Sequence, residues 1–297
     1  MDRQVGVIGL GIMGGAFARN LAAAGWEVHG YDPAPAARER LAEAGGVLHA
    51  SPAEVGRAVP RLILSLPNPA VLEEVAESLA EVTEHPLHLA ETSTLAPAAK
   101  EAVRARLEPH GHLLCDCPVS GTGAQAATGD IVVFASGPEA VLASFAEVWP
   151  GMSRRVVAAG GFGAGMQLKI LANTLVTIHN AAAAETMAFA RRMGLDLRTV
   201  YEALKDGAGG SKMFELRAPQ MIEGVYQPPT ATFTTHLKDL EIIERAAAAE
   251  RMPMALFATS AQLYRAAGSM GLEHHDTASL CEVIGTLAGM PNRAAKG

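Results

Sequence analysis

The sequence predicts an α/β domain built on a mostly parallel sheet, followed by an all-helical domain. Three observations predict it. The first half alternates short apolar runs with helical stretches, the pattern of βαβ units. A glycine-rich segment at 160–165 closes that alternation. From 166 to 193 neither Gly nor Pro interrupts a run rich in Ala, Leu and Ile. That run reads as one long helix, apolar around much of its surface and therefore buried.

Each element follows in order. Residues 5–10 form an apolar strand ending in glycines, 16–24 a helix, and 28–31 a second strand. A charged helix at 35–44 precedes a short extended piece opened by Val47. Residues 61–66 are nearly continuously apolar, as a strand buried on both faces should be. Residues 70–82 repeat apolar positions at helical spacing, and 87–90, 113–116 and 131–135 continue the strands. Gly194 should end the long helix. Further helices are expected at 195–204, 218–222, 237–250, 253–267 and 279–287. The domains are expected at 1–163 and 164–297, with a frayed tail at 291–297.

Composition narrows the function. Charged residues make up 19% of the chain and hydrophobic ones 49%, which excludes a disordered chain and allows a sizeable core. With aromatics at 5%, a net charge of −7 and no Lys/Arg run, neither a nucleic acid nor an anionic membrane is an expected partner. No apolar run is long enough to span a bilayer, and the opening segment reads as a strand and glycine turn, not a basic cleavable leader. Cys115, Cys117 and Cys281 are too few and too unevenly spaced for a disulfide framework, so cytoplasmic thiols are expected. No His/Cys cluster follows at ligand spacing, so no metal site is expected.

Gly9-Leu10-Gly11-Ile12-Met13-Gly14 is a GxGxxG turn between a strand and a helix. In that context the glycines serve a tight turn, close approach to a pyrophosphate and helix–strand packing, with the helix N-terminus facing the phosphates. Asp32 ends the second strand, near the spacing at which a carboxylate accepts the ribose 2′-hydroxyl and repels a 2′-phosphate. NAD is therefore favoured, with NADP kept open by Arg38 and Arg40. Asp32 is also placed to cap the next helix ahead of Pro33 and Pro35. Leu66-Pro67-Asn68 and the Thr92-Ser93-Thr94 turn follow strands of the same sheet, where ligands of such sheets bind. Leu66, Pro67, Asn68 and Thr94 are thus candidate cofactor contacts, although ordinary turns or caps would look alike.

Lys169 and Asn173 lie four apart on the long helix and so share a face that is otherwise apolar. Desolvation there should lower the lysine pKa and suit it to proton transfer with an alcohol. A lysine snorkelling from a buried helix would look the same in this segment. Lys238-Asp239 alone reads as a surface pair.

Four segments together carry a resemblance: GLGIMGGAFARNL at 9–21, DCPVSGTGAQAATGD at 116–130, GAGMQLKILAN at 163–173 and KDL at 238–240. In this order and spacing the chain resembles the β-hydroxyacid dehydrogenase family, which includes 3-hydroxyisobutyrate dehydrogenase, tartronate-semialdehyde reductase and threonate dehydrogenase. The resemblance covers essentially the whole chain. It implies a Rossmann domain, a long interdomain helix and a helical domain that builds a homodimer or homotetramer. It implies hydride transfer between NAD(H) and a small β-hydroxy acid or its aldehyde or keto acid, with Lys169 as acid/base. Ser120, Gly121 and Thr122 would hold the substrate carboxylate, Asn173 would contact the substrate, and Lys238 would close the site against substrate and cofactor. The family usually has glycine at 122 and alanine at 117. Thr122 implies either a different loop shape or a hydroxyl on the substrate, while Cys117 reads as packing. An imine reductase-like enzyme and a non-catalytic dinucleotide sensor are the alternatives. Lys169 disfavours the first, and the intact Lys169, Asn173 and Ser120 set disfavours the second.

Overall fold

The computed structural model describes residues 3–294. The chain divides into two compact units, Met1–Lys169 and Ile170–Gly297.

In the first unit the strands are β1 Gln4–Ile8, β2 Glu27–Tyr31, β3 Val47–Leu48, β4 Arg61–Leu64, β5 His88–Glu91, β6 Leu113–Asp116, β7 Val119–Ser120, β8 Val132–Ser136 and β9 Arg155–Gly160. Between them run α1 Ile12–Ala23, α2 Pro35–Glu43, α3 Pro52–Ala58, α4 Pro69–Ala80, α5 Pro97–Leu107, α6 Gly123–Ala127 and α7 Glu139–Ser144. Among the described residues these strands form one sheet, ordered β3-β2-β1-β4-β5-β6-β8-β7, with β9 beside β8. Strands β1 to β6 are parallel to one another, as expected, whereas β8 runs antiparallel to β6 and β7.

Alternation along the strands sends side chains into two cores. Val5, Val7, Ile63, Ala90 and Cys115 pack on one face with Phe17 and Leu21 of α1. Leu62, Leu64, Leu89 and Leu114 pack on the other with Leu72 and Leu79 of α4. Both faces are therefore covered, which explains the continuous apolar runs in β4. Helices α2 to α5 each open on a proline in the first turn, where the missing N–H costs nothing.

Several elements were not foreseen, among them β7, α7, α3, α6 and β9. Helix α3 is capped by Ser51, whose hydroxyl accepts from the Glu54 N–H, while the Glu54 carboxylate accepts from Ala50. Helix α6 replaces an expected glycine loop. Strand β9 extends the sheet with a half-exposed, Gly- and Ala-rich segment.

Helix α8 spans Ala164–Arg192, 29 residues, and runs from the first unit into the second. Gly194 ends it as expected, at φ +74°, with the Leu195 N–H returning to the Ala190 carbonyl. The helix is not buried all round: Leu171 is 61% exposed, Leu175 54% and Phe189 62%, and Met193 just past its end is 53% exposed.

The remainder of the second unit is helical: α9 Leu197–Leu204, α10 Lys212–Glu223, α11 Phe233–Ala249, α12 Ala255–Ser269 and α13 Leu280–Leu287. Its core joins Ala184 and Met187 of α8 to Phe214, Phe233, Tyr264 and Leu280. Arg293, expected in a frayed tail, is held by the buried Glu282 carboxylate. Residues 295–297 of that expected tail lie outside the described residues. No helix among the described residues is long and apolar enough to cross a membrane.

Candidate active site

The glycine turn is built by close contact. Gly9 has φ +88°, and a Cβ there would sit 2.2 Å from the Ser65 carbonyl oxygen. A Cβ on Gly14 would sit 1.9 Å from the Gly9 carbonyl oxygen, so α1 leaves the turn at a distance only glycine allows. Gly11 differs: nothing lies within 4 Å of its would-be Cβ. The backbone there faces open space at the N-terminus of α1, where its unpaired N–H groups favour an anion. A cleft of about 700 Å³ opens at this point, with Gly11, Ile12, Arg19, Arg40 and Gly123 in its lining. Ile12 is exposed, Met13 half-buried and Leu10 buried, so Gly11 and Ile12 present the accessible part of the turn. This open backbone, helix terminus and flanking arginines fit a dinucleotide pyrophosphate.

Asp32 is not the cap of α2, whose N-cap is Ala34 with no side-chain cap bond; the Asp32 carboxylate is engaged at the glycine turn and at the approach to α2 instead. Its Oδ2 accepts from the Leu10 N–H at 2.7 Å, and its Oδ1 accepts from the Ala34 N–H at 2.8 Å. The carboxylate thus ties the glycine turn to the end of β2 and shapes the approach to α2. It is half-buried, and each oxygen can accept a further hydrogen bond. Of the two arginines considered for a 2′-phosphate, Arg40 lines the cleft and Arg38 is half-buried on α2.

The loops after β4 and β5 are joined to each other. The Leu66 N–H donates to the Ser93 hydroxyl at 2.7 Å. Pro67 and Asn68 are exposed, but the Asn68 side chain is used as the cap of α4, accepting from the Val71 N–H. Thr92 is buried and bonded to the Leu64 carbonyl, which leaves the half-buried Thr94 as the more open residue of its turn.

The segment after β6 gives Thr122 a local partner. Gly121 has φ +147°, and a Cβ there would sit 2.6 Å from Ile131. Thr122 has φ −89°, so its backbone needs no glycine. Its hydroxyl accepts from the Gln125 N–H, and the Gln125 amide oxygen accepts from the Thr122 N–H, forming a capping box that starts α6. Residues 123–127 thus follow Thr122 as a capped helix. Ser120 stands half-buried at the end of β7. Cys117 is fully buried in the core, and burial pushes its thiol well above the ordinary value.

On α8, Lys169 is 9% exposed and Asn173, one turn later, 6%. In the second unit Asn173 Nδ2 donates to the Asp239 carboxylate at 2.9 Å, which leaves its amide oxygen for another partner. The Asn173 carbonyl accepts from Thr177, whose hydroxyl also meets the His236 imidazole at 2.9 Å. Lys238 is exposed on α11 while its neighbour Asp239 turns to Asn173, so the two do not behave as a simple surface pair. Among the described residues no group of three or more His, Cys, Asp or Glu is arranged to hold a metal ion.

Comparison with known proteins decides the family. Residues 4–161 match the model of the NAD binding domain of 6-phosphogluconate dehydrogenase. Residues 163–284 match that of the NAD-binding domain of NADP-dependent 3-hydroxyisobutyrate dehydrogenase. L-threonate dehydrogenase of Cupriavidus necator is 34% identical over 96% of this chain and 97% of its own length. The chain belongs to the β-hydroxyacid dehydrogenase family. Mitochondrial 3-hydroxyisobutyrate dehydrogenase of mouse is a further relative, 30% identical over 94% of this chain and 86% of its own. The crystal structure of a 3-hydroxyisobutyrate dehydrogenase from Salmonella typhimurium superposes with a TM-score of 0.85 at 31% identity, covering 94% of this chain and 99% of that one. As a member of this family the chain is an NAD(P)-dependent dehydrogenase with a Rossmann domain and a helical C-terminal domain.

Sequence reasoning missed the side chains that hold these candidates in place. Asp239 orients Asn173, and its signal was only adjacency to Lys238. Lys100, Glu91, Asp116 and Ser136 form a buried polar group beneath the start of α8. Only Asp116 showed a signal, as a charge closing an apolar strand.

Proposed function

We propose that this β-hydroxyacid dehydrogenase interconverts a small β-hydroxy acid and its aldehyde or keto acid, with Lys169 as the proton-transfer group. The observation that carries this is the nearly complete burial of Lys169 on α8, one turn before Asn173. A lysine so withdrawn from water is not a solvated helix residue, and an amine is a competent partner for an alcohol proton. Ser120 and Gly121 are the substrate carboxylate's partners from the segment before α6. Thr122, whose N–H and hydroxyl are both engaged with Gln125, completes that segment. Asn173 and Lys238 are further substrate contacts, and Lys238 meets the cofactor as well. Gly9 through Gly14 hold the pyrophosphate, Asp32 the ribose, and Leu66, Pro67, Asn68 and Thr94 line the remainder of the cofactor.

The nicotinamide, when bound, supplies the hydride acceptor or donor. In oxidation the neutral Lys169 amine takes the hydroxyl proton. In reduction the ammonium returns it to the nascent alkoxide. Anchoring the carboxylate fixes the reacting carbon, and such orientation contributes several kcal/mol, up to about 7 to 11 in well-aligned cases.

The test is a panel of L-threonate, 3-hydroxyisobutyrate and tartronate semialdehyde with NAD(H) and NADP(H), followed by the absorbance of the reduced nicotinamide. Turnover of at least one acid is expected. NAD should exceed NADP in kcat/KM about tenfold or more, since a hydrogen bond to a charged group such as Asp32 is worth about 1.5 to 3 kcal/mol. Binding of NADH without turnover of any hydroxy acid would leave a sensor instead. A preference for NADP would transfer the ribose assignment from Asp32 to Arg40.

We further propose a cytoplasmic homodimer or homotetramer, with the functional division of the chain at 163/164. The exposed Leu171 and Leu175 early on α8, and Phe189 with Met193 at its end, give two apolar patches along one side of the kind a second copy would cover. Light scattering at micromolar concentration should give a multiple of the chain mass. A monomer there would contradict the assembly.

A further inference from the structure

We propose that Asp116 is a positioning residue for the reaction: with Ser136 it clamps the first turn of α8 and so sets where Lys169 stands. This rests on the reading of Lys169 as the acid/base. Asp116 Oδ2 accepts from the Met166 N–H at 2.7 Å, and Ser136 Oγ accepts from the Gly165 N–H at 2.9 Å. The Ser136 hydroxyl also donates to the Asp116 carbonyl at 2.9 Å, so the two acceptors are fixed to each other. All of this is buried. The helix start is held sterically as well. A Cβ on Gly165 would sit 2.4 Å from the Phe134 carbonyl oxygen and 2.7 Å from that of Asp116. The helix backbone is therefore seated directly on β6 and β8. Lys169 follows Met166 by three residues, less than one turn, so any tilt of that turn moves the amine.

The clamp is charged on purpose, because an ionised acceptor makes the stronger bond to an N–H at a helix N-terminus. Lys100 Nζ lies 2.6 Å from Asp116 and 2.6 Å from Glu91. Glu91 continues the chain, accepting from the Ser93 N–H at 2.9 Å, and the Ser93 hydroxyl takes the Leu66 N–H. One buried polar path thus runs from the loops proposed to line the cofactor to the helix that carries Lys169. A buried polar network joined in this way rigidifies what it connects.

The test uses the full chain and two variants, Asp116→Asn, which keeps the shape and loses the charge, and Ser136→Ala, which removes the acceptor for Gly165. Acetylation of Lys169 by acetic anhydride, quantified by peptide mass spectrometry across pH, reads the amine directly without a substrate. In Asp116→Asn, Lys169 should acetylate about threefold faster or more, because the first turn of α8 loses its ionised acceptor. In Ser136→Ala, Lys169 should acetylate about threefold faster or more, as the loosened turn opens at lower cost. With L-threonate or 3-hydroxyisobutyrate as substrate, kcat should fall about ten- to a hundredfold in each variant, the scale of a misplacement of about 1 Å, while NADH affinity stays within about twofold. A role confined to stability would lower the melting temperature and leave Lys169 acetylation at the parental rate. Wild-type acetylation and kcat in both variants would overturn the proposal, and in Ser136→Ala alone if Asp116→Asn does not fold. If instead Lys169→Ala retains turnover while Asp116→Asn still speeds acetylation of the lysine, the acid/base reading fails and the clamp stands.

Discussion

Lys169→Ala is expected to lower kcat by about 10²- to 10⁴-fold, the range a general acid/base contributes. The glycine turn and Asp32 are held by contacts to Ser65, Leu10 and Ala34, none of which involves the lysine. NADH binding, followed by fluorescence titration, should therefore stay close to that of the parent. The loss should fall on kcat and kcat/KM together, which marks an interaction made in the transition state. Lys238→Ala should divide differently. Lys238 is exposed on α11, and the proposed role is charge complementarity to an acid, so KM should rise more than kcat falls. A Lys169→Ala protein that kept more than about a tenth of the parental kcat in a chemistry-limited assay would lack the loss that proton transfer demands. The acid/base would then be sought in Lys238 or in a water held by Asn173.

What the sequence makes legible depends on whether the signal is local. The turn at 9–14 states its own context, strand before and helix after, and each glycine there meets or avoids a specific neighbour. Helix α8 was readable because 29 residues give many turns of apolar repetition, and Gly194 marks its end. Helices α3 and α6 have 7 and 5 residues, too few for periodicity to speak. The signal left unread was the cap spacing, Ser51 followed by Glu54 and Thr122 followed by Gln125, three residues on in each case. Burial of α8 was overread, since an all-round apolar helix can leave one face for another chain. The polar clamp was not legible, because its members lie far apart along the chain. Lys100 and Asp116 are 16 residues apart, and Asp116 and Met166 are 50 apart. Each residue alone looks like an ordinary surface charge. Only the sheet register, which sets Glu91 beside Asp116 on adjacent strands, brings two carboxylates to one lysine.

That register makes Lys100→Met the substitution with the largest expected effect on stability. Lys100, Glu91 and Asp116 are each at most 1% exposed. Burial alone disfavours the Lys100 charge more than any other single influence, yet the combined pull of Glu91 and Asp116 outweighs it and holds the ammonium above its ordinary value. Methionine fills a similar volume but leaves two facing carboxylates in a dry interior. Removing one partner of a buried ion pair costs about 3 to 5 kcal/mol. The melting temperature should fall by about 10 °C, at the few degrees per kcal/mol usual for chains of comparable size. The deficit should also depend on pH. In the variant the two carboxylates share a site, so one of them takes a proton and its folded pKa rises above the unfolded value. A group raised in this way contributes stability fully below its unfolded pKa and loses it as pH rises through the folded one. The deficit should therefore be smallest near pH 5 and largest near pH 8, where both carboxylates are charged. In the parent protein Lys100 itself is raised, so its contribution is complete below about pH 10 and constant across that window. Surface carboxylates titrate alike in both proteins and cancel in the comparison. Thermal melts of parent and variant at several pH values from about 5 to 8 check this, and a deficit that does not change with pH would show that Glu91 and Asp116 do not compete for a proton once Lys100 is gone.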